Sequence, residues 1–165
     1  MFRLFVLMLA APFAAVALMA APAPAMAQTP VPAFASDRII VETRGTGPDV
    51  IFIPGLGSTG SAWRSTADRL DSRYRVHVVT LRGFGGTDID GNANGGLAGP
   101  AAAEIERYIR EQGLRRPALI GHSLGGQIAL RIAADMGQQV GRVMVVDSSP
   151  FFPSLVDSRA TSAQV

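Results

Sequence analysis

Apolar and polar positions change period several times along the chain, and each change predicts an element. Residues 38–43 and 49–53 carry strand-like, β-branched runs with Gly45, Thr46, Gly47 and Pro48 between them, which predicts a hairpin. Residues 61–70 place Ala62, Trp63, Ala67 and Leu70 near helical spacing, and residues 75–80 return to an apolar run suited to a strand buried on both faces. Pro100 sits at a good first-turn position for a helix whose Ile105, Tyr108 and Ile109 form an i, i+3, i+4 stripe, and Gly113 is its stop. Residues 118–121 predict a short strand, 124–136 a helix ended by Gly137, and 142–146 another strand. This alternation implies the α/β class, with a mostly parallel sheet of about five strands and helices on both faces.

Composition narrows the compartment and the partners. The chain has 165 residues, 48% hydrophobic and 17% charged, which fits one globular domain and excludes a charge-rich disordered protein. There is no Cys, so neither a disulfide framework nor a Cys-ligated metal site is possible. All 15 basic residues are Arg, set against 13 acids, and so near-neutral a balance argues against nucleic acid as the main partner. Arg3, the uncharged apolar stretch 4–20 and Ala25-Met26-Ala27 read as an export signal cleaved after residue 27, giving a periplasmic or secreted protein. An uncleaved membrane anchor is the alternative, although Pro12 interrupts the apolar run. The expected organisation is a signal over 1–27, a Pro/Ala-rich leader over 28–37, the core over 38–147 and a tail over 148–165.

The chemistry concentrates in Gly121-His122-Ser123-Leu124-Gly125-Gly126. A serine at a sharp strand-to-helix turn is held in a strained conformation that projects its hydroxyl, and the residues two before and two after must lack bulk. Gly121 and Gly125 meet that need. A second Gly-rich turn, Pro54-Gly55-Leu56-Gly57-Ser58, directly follows the strand over 49–53. Acyl transfer needs two backbone N–H donors aimed at a developing oxyanion, and small residues let the main chain come close enough to supply one. Leu56 N–H and Leu124 N–H are the candidates.

With these motifs the chain resembles the α/β-hydrolase family. The matching residues are Ile51 to Gly57 with Trp63 following, Thr80-Leu81-Arg82-Gly83-Phe84-Gly85-Gly86-Thr87 after the next strand, the Gly121 to Gly126 turn, and Val143 to Asp147. The resemblance implies a serine hydrolase of carboxylic esters or related small-molecule acyl compounds, working with no metal and no organic cofactor. Ser123 would be the nucleophile, with Gly55, Gly57, Gly121, Gly125 and Gly126 shaping the site. Two local departures are Thr80, where members often carry Asp, and a Pro-Gly turn in place of the commoner His-Gly.

The larger departure concerns the base. In this family the order is nucleophile, acid, then histidine, yet no His follows Ser123, and without an imidazole a serine hydroxyl is a poor nucleophile near neutral pH. His122 should project to the opposite side of its strand from Ser123, and His77 falls roughly 10 Å below the strand ends, as a core histidine. Asp147 follows the strand after the nucleophile helix and is the candidate acid, against a capping role with Ser148 and Ser149; Asp157 is a weaker one. Asp88, Asp90 and Asn92 match the first ligand positions of an EF-hand loop, but Ala93 and Gly99 stand where Gly and Glu are required, so a rim loop is the better reading. The expectation is thus a partial hydrolase of low activity, the alternatives being a non-catalytic exported binding protein on the same core, or an enzyme whose base comes from another subunit or the solvent. An edge strand at 142–146 would favour association of the chain.

Overall fold

The computed structural model describes residues 33–149; the expected export signal and most of the tail, with Asp157, lie outside the described residues. Five strands form one sheet in the order β1-β3-β2-β4-β5, where β1 is Ile39–Arg44, β2 Asp49–Ile53, β3 Arg75–Leu81, β4 Ala118–His122 and β5 Arg142–Val146. Pairing is parallel from β3 through β5, and only β1 runs antiparallel, against β3. Helix α1, Arg64–Leu70, follows a 3₁₀ turn over Gly60–Trp63 and covers one face. Helices α2, Ala98–Glu111, and α3, Leu124–Met136, cover the other.

The pattern of β2 explains its central place. Ile51 and Ile53 turn to the α2/α3 face and Val50 and Phe52 to the α1 face, all four buried, which is the signature of a strand with covers on both sides. On the α2/α3 side they meet Ile105, Ile109, Ile128 and Ile132; on the α1 side they meet Ala67, Trp63 and Leu70. Gly113 and Gly137 take positive φ, 63° and 54°, and end α2 and α3 where they were expected to.

The expected hairpin between the first two strands does not form. β1 pairs with β3 from Ile39↔Leu81 to Arg44↔Val76, so β3 lies between β1 and β2. The turn is held by tertiary contacts instead: a Cβ at Gly45 would strike the Asp71 and Tyr74 carbonyl oxygens, one at Gly47 would lie 2.6 Å from Arg73 O, and Arg75 N–H donates to Pro48 O at 3.0 Å. The chain therefore crosses over β3 rather than folding back along its own edge.

After β2 the chain moves toward β1, and after β3 it crosses to the other side of β2. The carboxyl ends of β2 and β4 thus flank a topological switch point, the crevice where open α/β sheets bind ligands.

Candidate active site

Both Gly-rich turns open at that switch point. Ile53 and Gly121 are register partners at the ends of β2 and β4, so Pro54-Gly55-Leu56 and His122-Ser123-Leu124 leave the sheet side by side. Ser123 has φ 51° and ψ −119°, a region that non-Gly residues rarely occupy, and it is the residue from which α3 starts. Its N–H donates to Val146 O at 3.0 Å, and its carbonyl accepts from Gly126 N–H at 2.9 Å. The strain is therefore held between β5 on one side and the first turn of α3 on the other.

The glycines are fixed by close backbone approach. A Cβ at Gly121 would collide with the Gly125 carbonyl and lie 2.6 Å from Gly126 N. One at Gly125 would collide with Ile53 O and lie 2.6 Å from Pro54 O, so the two turns touch through main chain alone. Gly126 faces Ser148, whose Cβ would stand 2.7 Å from an added methyl. Gly55 lies against the serine: an added Cβ would meet Ser123 Cβ at 3.2 Å and His122 Nδ1 at 2.9 Å.

The Gly55 turn has a defined shape. Ser58 N–H donates to Gly55 O at 3.1 Å and Gly57 has φ 74°, the positive value required at the third position of a type II turn. Leu56 stands at its tip and is 66% exposed, with its N–H belonging to the peptide unit that joins Gly55, the residue packed on Ser123. Leu124 is the first residue of α3, so its N–H has no acceptor within the helix and points from the positive end of the helix dipole. Thr80, the departure noted in the sequence, accepts from Gly60 N–H at 2.8 Å and ties the start of the α1 segment to β3. That bond had no signal in the sequence.

Neither histidine is placed to serve Ser123. His122 lines a cleft of about 280 Å³ with Pro54, Ala62, Trp63 and Val146, on the α1 side, and makes no hydrogen bond to Ser123 among the described residues. Its Nε2 lies 4.0 Å from Asp147 Oδ2, and the Asp147 side chain is 93% exposed. Asp147 has φ 47° and leaves β5 next to the Val146 carbonyl that holds Ser123. His77 is buried among Asp49, Tyr108 and Thr43 at the other end of the sheet. In the rim loop, Asp90 pairs with Arg82 at 3.0 Å and the Asn92 amide donates to Arg38 O and Arg82 O, so these groups brace the loop against β1 and β3.

The conformation of Ser123 carries an expected stability effect. Ser123→Gly should raise the free energy of unfolding by about 1 kcal/mol, because glycine occupies positive φ without strain, while Ser123→Ala should leave it near the parent value because the Cβ remains. Chemical denaturation of the three proteins decides this; a Gly variant no more stable than the Ala variant would show the backbone to be unstrained.

Parallel strands, a strained serine between strand and helix, and a second glycine turn against it define an α/β hydrolase architecture. The chain belongs to the alpha/beta hydrolase family, which residues 50–164 match. Over 114 residues it is 36% identical to a pimeloyl-(acyl-carrier protein) methyl ester esterase of Aeromonas hydrophila, covering 69% of this chain and 43% of that protein. A protein of the same name from Aliivibrio fischeri is 34% identical over 111 residues, which are 67% of this chain and 40% of the relative. The solved esterase of Exiguobacterium antarcticum superposes with a TM-score of 0.61 at 28% identity, covering 67% of this chain and 41% of that one. The chain thus spans less than half the length of these relatives.

Proposed function

We propose that this chain carries the nucleophile half of a serine esterase site, with Ser123 as nucleophile and the Leu56 and Leu124 N–H groups as oxyanion donors. The observation that carries this reading is the strained Ser123 at the switch point with Gly55 packed on it at an added-Cβ distance of 3.2 Å. Ser123 Oγ would attack an ester carbonyl, the alcohol would leave from the tetrahedral intermediate, and water would hydrolyse the acyl-serine. A small-molecule carboxylic ester is the substrate class, consistent with the esterases to which the chain is similar. Asp147 beside the site is the candidate acid. His122 makes no hydrogen bond to Ser123 among the described residues and His77 is held by Asp49 and Tyr108 at the other end of the sheet, so neither takes the Ser123 proton.

Two outcomes follow. The 165-residue chain should hydrolyse 4-nitrophenyl acetate no faster than Ser123→Ala. A fluorophosphonate should nevertheless form an adduct at Ser123, slowly at neutral pH and faster with added imidazole, because the oxyanion donors and the half-buried serine remain while imidazole supplies the base. Mass spectrometry locates the adduct. No adduct at Ser123 under either condition would overturn the nucleophile assignment and favour a non-catalytic binding protein on the hydrolase core; turnover lost in Ser123→Ala would show that a base is supplied. We also propose export, with Gln28 as the mature N-terminus, which mass measurement of the protein from the periplasm or medium tests.

A further inference from the structure

The face of β1 and β3 that looks toward α1 carries a groove of about 240 Å³ that the esterase reading does not use. Only residues between 40 and 87 line it, over the edge of the sheet opposite to β5. The described chain before β1 keeps to the other face, where the Phe34 ring packs edge-on against Tyr108 of α2 at 4.9 Å. Ile40 and Val78 form an apolar floor, and Arg44, committed to Asp68 at 2.7 Å, closes one end. Two close approaches build the walls. A Cβ at Gly60 would stand 2.5 Å from Val78 Cγ1, so the 3₁₀ turn lies directly on β3, and Gly60 N–H donates to Thr80 Oγ1 at 2.8 Å. A Cβ at Gly85 would collide with Thr59 Cγ2, which brings the loop after β3 onto the start of that turn.

Two opposite charges in this groove are left unused. Glu42 on the β1 side and Arg64 on the α1 side are both exposed, and neither side chain has a hydrogen bond or an ion pair among the described residues. The one contact of Arg64 is through its carbonyl, which accepts from Arg44 Nη2 at 3.3 Å. Hydroxyl donors accompany the guanidinium. Thr59 Oγ1 and Ser61 Oγ lie 2.6 Å apart, so one hydrogen joins the pair and the other stays available, and Thr80, which accepts from Gly60, keeps its own. A guanidinium with hydroxyls on one wall, a carboxylate on the other and a short apolar floor between them match the polarity of a small zwitterion. We infer that the groove binds a free α-amino acid with an apolar side chain: its carboxylate takes Arg64 and the hydroxyls, its ammonium takes Glu42, and its side chain lies on Ile40 and Val78. Either exposed charge alone gains little from a partner, whereas one ligand that carries both signs makes two charge-assisted contacts for a single ordering cost. The groove is open to water, so the expected affinity is in the millimolar range.

Amide proton–nitrogen correlation spectra of the full chain, titrated with L-leucine, test this. The Gly60 and Gly85 resonances should shift and saturate in the millimolar range. The carboxylate analogue without the ammonium, isocaproate, and the amine without the carboxylate, isoamylamine, should each bind about tenfold or more weakly than leucine. Glu42→Gln and Arg64→Gln should each weaken leucine binding by about tenfold with an unchanged melting curve, because both side chains are exposed and unbonded. No shift at the two glycines with millimolar leucine, or a leucine affinity that survives either substitution, would overturn the inference. Isocaproate or isoamylamine binding as tightly as leucine would overturn it equally, by reducing the site to a contact for one charge.

Discussion

Gly125→Ala and Gly121→Ala should each destabilise the fold by about 3 kcal/mol or more, which in a domain of ordinary stability leaves little folded protein. Both methyl groups would enter space held by main chain: the Gly125 carbonyl and Gly126 N for one, the Ile53 and Pro54 carbonyl oxygens for the other. No rotamer change relieves such a contact. Relief would have to separate β2 from the start of α3, and with it the register pair Ile53↔Gly121 on which the site is built. Gly96→Ala is the control. It lies in the loop before α2 with nothing within 4 Å of an added Cβ and no positive φ, so alanine should be neutral or stabilise by up to about 1 kcal/mol. Urea unfolding of the three variants measures both effects. Gly125→Ala within 1 kcal/mol of the parent, on the scale of an ordinary surface change, would mean that the two turns are not in backbone contact.

That same contact explains why the two glycine turns were readable from residues alone. A glycine demanded by main-chain collision or by positive φ leaves an identity in the sequence, as at Gly121, Gly125 and Gly57, and the helix 124–136 and strand 142–146 were bounded by breakers at both ends. Long-range pairing leaves no such mark. Residues 38–43 and 49–53 looked like a hairpin because they are adjacent, but β2 has both edges taken, by β3 and β4, and β1 finds its partner some thirty residues on. The role of Thr80 was hidden for the same reason, since its acceptor function depends on where Gly60 arrives.

His77 shows the boundary most sharply: its burial was expected, its partners were not. It sits on β3 with Nε2 3.0 Å from Asp49 Oδ1 and Nδ1 2.6 Å from Tyr108 OH, and Thr43 Oγ1 lies 3.2 Å from both Nδ1 and the phenol. Arg75 Nε donates to the same Asp49 oxygen at 2.6 Å. A neutral ring donating from Nε2 to Asp49 and accepting from Tyr108 O–H, with Thr43 donating in turn to the phenol oxygen, satisfies every group. Burial holds the His77 pKa below its ordinary 6.5, with the Arg75 cation acting in the same direction against Asp49. For Asp49 burial pushes upward, but hydrogen bonds from Arg75 and His77 outweigh it and the carboxyl lies below its usual 3.8.

Both shifts give the same sign. Each group binds protons more readily in the unfolded chain, so its contribution to stability is complete above the unfolded pKa and declines as pH falls from there toward the folded value. Stability should therefore begin to fall below about pH 6.5 through His77 and fall further below about pH 3.8 through Asp49. Asp49→Ala should cost about 2 kcal/mol near neutrality, because it strands the buried Nε2–H of His77, while the partly exposed Arg75 guanidinium turns to water. Asp49→Asn should cost less, since its amide oxygen still accepts from His77. His77→Gln removes the titrating ring while keeping a donor and an acceptor, so its stability should be flatter than the parent's between neutrality and pH 5. Denaturant midpoints across that range separate the cases. A parent protein as flat as His77→Gln would show that the buried ring is not held neutral, and an Asp49→Ala variant as stable as Asp49→Asn would show that the ring does not depend on an acceptor at position 49.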